Sequence, residues 1–163
     1  MNSDKVLLEF LSDPKGLLIA PAGHGKTYSI AQMVSSVEAD KPQLILTHTH
    51  AGIASLKKKF QEQGIPPKKY TIETICGFLQ RYVLSLCKRT DIPYQEDENF
   101  FPKLAEIAVH LFSKPAVRRI VTQSYSHIYV DEYQDCTLDQ HKIIMLMSEE
   151  LPTHLLGDPL QGI

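Results

Sequence analysis

Leu17-Leu18-Ile19-Ala20-Pro21-Ala22-Gly23-His24-Gly25-Lys26-Thr27 is the stretch on which the fold turns. A short apolar run passes into small residues and glycines, and closes on Gly-Lys-Thr. Leu17 to Ala20 is short, apolar and bounded by turn residues, as expected of a strand buried on both faces. Gly25 to Val37 reads as a helix that opens with its N-terminus at the loop. Glycines let the backbone wrap closely round phosphate oxygens, with N–H groups pointing inward. The helix adds its positive N-terminal end. Lys26 supplies a point charge for the β- and γ-phosphates, and the Thr27 hydroxyl is placed to bind Mg2+. Ala20, Pro21, Ala22, Gly23, His24, Gly25, Lys26 and Thr27 are therefore assigned to phosphate binding. Ala20 stands where the usual pattern begins with Gly.

Outward from this loop, strands alternate with helices. Val6, Leu7, Phe10 and Leu11 recur at helical spacing, which predicts a helix over residues 4–12. Asp13-Pro14-Lys15-Gly16 breaks it. Gln43 to Thr47 reads as a second buried strand, His50 to Gln63 as a helix, and Tyr70 to Glu73 as a third strand. A helix from about Gly77 to Cys87 follows. Residues 88–126 carry no strand signal. The polar run Asp91 to Asn99 reads as a surface loop, and Phe101–Phe112 and Ala116–Gln123 as helices, so the segment is taken as a small helical insertion. His127 to Asp131 is the next strand, Leu138 to Glu149 a helix, and Thr153 to Gly157 a last strand. This order predicts an α/β fold with a parallel sheet and helices on both faces. Ligands of such sheets bind outside the carboxyl ends of the strands. The phosphate loop lies at such an end, and so do two further motifs.

Val130-Asp131-Glu132-Tyr133-Gln134-Asp135 follows the apolar run Ile128-Tyr129-Val130. Asp131, at a strand end, is placed to hold Mg2+ directly or through water. Glu132 is the natural base for an attacking water. Gly157-Asp158-Pro159-Leu160-Gln161 follows the strand Thr153–Gly157. The Gln161 amide can reach a γ-phosphate or the attacking water without adding charge. Alone, Gly-Asp-Pro is an ordinary turn.

Together these motifs resemble the first RecA-like domain of a superfamily 1 helicase of the UvrD/Rep type. Asp131-Glu132-Tyr133-Gln134-Asp135 resembles that family's Asp-Glu-x-Gln-Asp signature, and Gly157-Asp158-Pro159-Leu160-Gln161 its next motif. Thr47-His48-Thr49-His50-Ala51 and Thr74-Ile75-Cys76-Gly77-Phe78 line up with two segments that touch single-stranded DNA in the family. The resemblance implies a RecA-like P-loop NTPase domain over residues 1–163, with the insertion at 88–126 inside it. It implies ATP and Mg2+ as cofactors, with Lys26 and the loop on the phosphates, Thr27 and Asp131 on the metal, and Glu132 as base. It implies that Lys26, Glu132 and Gln161 serve catalysis, and that Gln134 and Gln161 couple the γ-phosphate to the DNA segments. His48, Thr49, His50, Thr74 and Phe78 would meet single-stranded DNA. The family usually has Phe at the position of His48 and Asn at that of His50. It also has an adenine-reading Gln before the loop, and residues 1–19 contain none. A second RecA-like domain, with further arginines, belongs to the family's motor and is missing from this chain, so the 163-residue chain by itself is expected to show little ATPase and no unwinding. Translocation 3′ to 5′ is implied by the resemblance alone.

The remaining features are blander. At 163 residues, 43 % hydrophobic and 22 % charged, with a formal net charge of −2, the chain reads as one ordinary globular domain. That charge gives no global pull toward nucleic acid, so such a surface must be local. Cys76, Cys87 and Cys136 are widely spaced, which fits a reducing compartment rather than a disulfide framework, and Cys76 and Cys87 read as small core residues. No signal peptide and no run of membrane-spanning length is present, and the expectation is a cytoplasmic protein without a membrane partner. Lys57-Lys58-Lys59, with Lys68-Lys69, fits either a phosphate patch or a solvated helix end. Arg118-Arg119 reads as a surface pair. Two other functions fit parts of the pattern. One is a small P-loop kinase, which has no need of Asp131 to Asp135. The other is a helicase-like module that binds nucleotide or DNA and works through a protein partner, for instance in phage defence.

Overall fold

Five short strands, all parallel, form one sheet in the order β1-β5-β4-β2-β3. The computed structural model describes residues 3–21 and 25–158. In chain order the elements are α1 (Ser3–Ser12), β1 (Lys15–Ile19), α2 (Lys26–Ser36), β2 (Gln43–Thr47), α3 (His50–Glu62), β3 (Tyr70–Thr74) and α4 (Ile75–Leu86). They continue with α5 (Phe100–Phe112), α6 (Pro115–Ser124), β4 (Ile128–Val130), α7 (Leu138–Ser148) and β5 (Thr153–Gly157). The alternation read from the sequence is thus present, with element ends displaced by one or two residues.

The sheet is covered on both faces by two apolar clusters. Ile45, Ile72, Tyr129 and Leu156 pack with Leu7 of α1, Ile30 and Met33 of α2, and Leu56 and Phe60 of α3. Leu44, Leu46, Ile128 and Val130 pack on the other side with residues of α4, α5, α6 and α7. Neighbouring residues of β2 and β4 therefore go to opposite clusters, as the period-two alternation of a strand requires. Each fully buried Leu, Ile or Phe contributes about 1.5–3 kcal/mol of apolar transfer energy. That is why β2 and β4 read as unbroken apolar runs. The apolar stripe Ile143-Ile144-Leu146-Met147 of α7, which reads as core, has Ile143, Ile144 and Met147 buried in the second cluster and Leu146 packed half-buried against it.

The strand β1 departs from expectation. Its apolar run predicts burial on both faces, yet Leu17 is 52 % and Ile19 58 % exposed. The strand order is the reason: β1 lies at the sheet's edge. Leu18 packs beneath the α1–α2–α3 cluster, while Leu17 and Ile19 point to the other side, where no described element covers them. An apolar run bounded by turns reads the same at an edge as at the centre.

Arg118 is a second correction. It is buried at 9 % exposure, and its Nη1 donates to the carbonyls of Phe112 and Ser113 at 3.0 and 2.9 Å. The Glu149 and Glu150 carboxylates lie 3.7 and 3.5 Å from its guanidinium. It satisfies the last carbonyls of α5 and ties them to the end of α7, a role that favours a cation at a helix C-terminus. Lys69 does the same at the end of α2, donating to the carbonyls of Ser35 and Val37 and to Glu38.

Candidate active site and strand-binding edge

The carboxyl ends of β1, β4 and β5 are neighbours, so motifs more than a hundred residues apart meet at one place. The Ala20 amide donates to the Gly157 carbonyl at 3.0 Å, and the Asp131 amide to that of Leu46 at 2.8 Å. These bonds extend the ladders past the strand ends and set the depth of the following turns. Gly25, at φ 84°, occupies the left-handed region that glycine takes without a Cβ penalty, and opens α2.

Lys26 lies at the centre, almost fully buried. Its Nζ donates to the Ala20 carbonyl at 3.2 Å and lies 3.5 Å from Glu132 Oε2 and 4.0 Å from Asp158 Oδ2. A buried ammonium needs such partners, because leaving it unpaired is costly. Gln134 joins the same set. Its Nε2 donates to Glu132 Oε2 at 2.9 Å, and its Oε1 accepts from the Asp158 amide at 2.9 Å. The second and third motifs are therefore linked through one side-chain amide.

Glu132 stands at φ 51°, the one non-glycine residue with positive φ among those described. That conformation costs about 1–2 kcal/mol in a non-glycine residue. Its amide donates to Asp131 Oδ1 at 3.1 Å, and a single 3-10 turn, Tyr133–Asp135, follows. Tyr133 Oη meets His141 Nδ1 of α7. Asp131 is buried, and its carboxyl is pushed up to about 6, first by desolvation and then by the Glu132 charge. Asp131 and Glu132 are thus two carboxylates in sequence at a strand end, and Thr27 lies in the first turn of α2. Ala22, Gly23, His24 and Gln161 lie outside the described residues. Within its motif Asp158 looks like an ordinary turn residue; burial beside Lys26 is what distinguishes it.

The ends of β2 and β3 are built differently. Thr49 caps α3, accepting from the Gly52 amide at 3.0 Å, and Thr74 caps α4, accepting from the Gly77 amide at 3.0 Å. Thr47 and Thr74 are in register on adjacent strands, so two Thr-x-x-Gly turns lie side by side. A Cβ at Gly52 would approach Thr47 Oγ1 to 2.5 Å, which explains glycine there. Thr49 and His50 are exposed. His48 is half-buried, with Nε2 3.7 Å from Cys136 Sγ. Phe78 overturns its assignment. It is fully buried, packed on Tyr82 and Phe112, so its ring reaches no strand. One helical turn separates it from Thr74, the N-cap of α4, and the periodicity of that helix directs it inward.

A family profile described as an AAA domain matches residues 5–163. The chain belongs to that family of UvrD/Rep-like superfamily 1 helicases. It is 25 % identical over 149 residues to the exonuclease/helicase subunit RexA of Lactococcus lactis subsp. cremoris, covering 86 % of this chain and 12 % of that protein. It is 27 % identical over 107 residues to an ATP-dependent helicase/nuclease subunit of Streptococcus mutans, covering 64 % of the chain and 8 % of that protein. To the Gabija protein GajB of Bacillus cereus it is 34 % identical over 61 residues, 36 % of the chain and 12 % of that protein. The chain thus spans about a tenth of the length of these relatives. An ATP-binding P-loop domain of helicase type is the common ground. Among the described residues no helix is long and apolar enough to cross a membrane.

Proposed function

We propose that this chain is the ATP-binding part of a DNA helicase in which hydrolysis drives movement along single-stranded DNA. The reading is carried by the contact chain from Lys26 through Glu132 and Gln134 to Asp158, which joins the phosphate helix, the acidic turn and the third motif. Lys26 and the amides of the loop and α2 would take the β- and γ-phosphates of ATP in place of the Glu132 contact. Thr27 and Asp131 would hold the accompanying Mg2+, which neutralises charge on the phosphates when bound. Released from Lys26, Glu132 would orient and deprotonate water. Gln134 keeps the Glu132 carboxylate aimed, and Gln161 would approach the γ-phosphate. The two Thr-x-x-Gly turns leave further helix N-terminal amides facing outward, suited to successive phosphates of a strand. His50 would sit beside them. The motor cycle calls for a second RecA-like domain as partner, and a cytoplasmic setting fits the reading.

Glu132→Gln tests it, in the longest available form of the protein. DNA-stimulated ATPase should fall by roughly 100-fold or more, while equilibrium binding of ATP is kept. Unchanged turnover would refute the role of Glu132.

A further inference from the structure

Besides the Lys26 contact to its carboxylate, the Glu132 turn is held from three directions. Gln134 ties it to Asp158 at the end of β5, and Tyr133 ties it to His141 on α7. The third anchor comes from the end of β2. There the half-buried His48 ring presents Nε2 to Cys136 Sγ at 3.7 Å. The Asp135 and Glu132 carboxylates and the Glu132 main-chain carbonyl also face this ring. Burial lowers the His48 pKa, so the imidazole is neutral at pH 7, with one donor and one acceptor nitrogen. Burial pushes the Cys136 thiol up to about 12, so it keeps its proton and faces the ring as a neutral group.

The position of His48 along the chain gives these contacts their meaning. The preceding residue, Thr47, is buried on β2, its side chain tight against Gly52 in the first turn of α3. The following residue, Thr49, is exposed and caps α3. His48 is thus joined by one peptide bond to the segment proposed for the strand, while its ring packs on the turn proposed for hydrolysis. Of the three anchors, it is the one that comes from the strand-binding end. The turn it touches contains the chain's one positive-φ non-glycine residue among those described, a conformation that persists only when its surroundings hold it.

We propose that His48 is a positioning residue that couples the capped N-terminus of α3 to the Glu132 turn, so that a single strand seated on α3 and a nucleoside triphosphate at Lys26 strengthen each other's binding. This rests on the function proposed above. Such coupling is reciprocal: each ligand must raise the other's affinity by the same factor. It also gives the ring a use that a base-stacking Phe in its place would not have.

The test measures that factor on the chain itself. Dissociation constants for a fluorescein-labelled oligothymidylate are determined with and without the non-hydrolysable ATP analogue AMP-PNP and Mg2+. The readout is their ratio, which a uniform change in affinity for either ligand does not move. The unmodified chain should give a ratio of about five or more. His48→Ala and His48→Phe should bring it to about one, and His48→Gln, which restores a polar nitrogen near the place of Nε2, should recover most of it. His48→Phe keeps the ring volume and leaves the test open if His48→Ala does not fold, which thermal melting decides. An unchanged ratio in both ring variants overturns the proposal and leaves His48 a packing residue. A ratio of about one in the unmodified chain, with both ligands bound, overturns the coupling while the proposed function stands. A chain that binds AMP-PNP but no oligonucleotide overturns the strand-binding reading and the coupling with it.

Discussion

The ends of β1, β4 and β5 and the ends of β2 and β3 are the same local device, a parallel strand passing into a helix N-terminus, finished in two ways. At the first, a buried ammonium and three acidic side chains share one small space, and one residue is held in a costly backbone conformation. At the second, two threonines cap two helices by identical bonds. The first end stores electrostatic and backbone strain that an incoming phosphate and cation would relieve. The second is satisfied by its own side chains, and its N-terminal amides remain turned outward. The proposed assignment of chemistry to the first end and of a hold on a strand to the second rests on this difference.

The largest expected effect breaks the idea that the β3 end binds through everything its motif contains. Phe78→Ala should lower stability by about 3–5 kcal/mol in urea or thermal melts, as expected for a fully buried ring. A loss of less than about 1 kcal/mol would contradict its place in the core.

A smaller effect sharpens the contrast in stored strain. Asp131 carries a carboxyl raised to about 6 from its ordinary value of 3.8. Its ionised form is therefore disfavoured in the folded chain. Stability falls as pH rises between the unfolded and folded values, and the full penalty applies above about 6. Asp131→Asn should stabilise the ligand-free chain at pH 7.5 by about 1–3 kcal/mol, with the gain shrinking toward zero near pH 4. Parallel melts at the two pH values check it; an equal gain at both would point to packing rather than charge.

The smallest effects concern the caps. Thr49→Ala and Thr74→Ala should each cost about 1 kcal/mol of stability. The two sites share no partner in the described structure, so the double variant should cost the sum. A much larger loss at either would mean that this end, too, holds strain.

Much of this was legible in the chain. The loop from Ala20 to Thr27 announces itself because phosphate binding demands small residues, a lysine and a hydroxyl at fixed spacing. Asp131 and Glu132 announce themselves because an apolar strand must stop where acids begin. Phe78 misled because a motif marks a segment, while the helical period decides which of its side chains face inward. Arg118 misled because an adjacent pair of arginines on a helix points in two directions, and only one of them meets the bare carbonyls at the end of α5. Cys136 carried no signal, since a lone cysteine after an acidic motif says nothing of what packs on it.

The sequence by itself determined the alternation of strands and helices, the strand ends at which the motifs lie, and the residue types found there. These follow from local rules: side-chain period, turn propensity, and the donors that a phosphate or a cation needs. The order of strands belonged to the tertiary structure alone. Placing β5 between β1 and β4 brings Asp158 to Lys26, leaves Leu17 and Ile19 on an open edge, and sets β2 beside β4 so that His48 reaches the Glu132 turn. No local pattern encodes such neighbours, because they are chosen by how the two apolar faces of the whole sheet are covered.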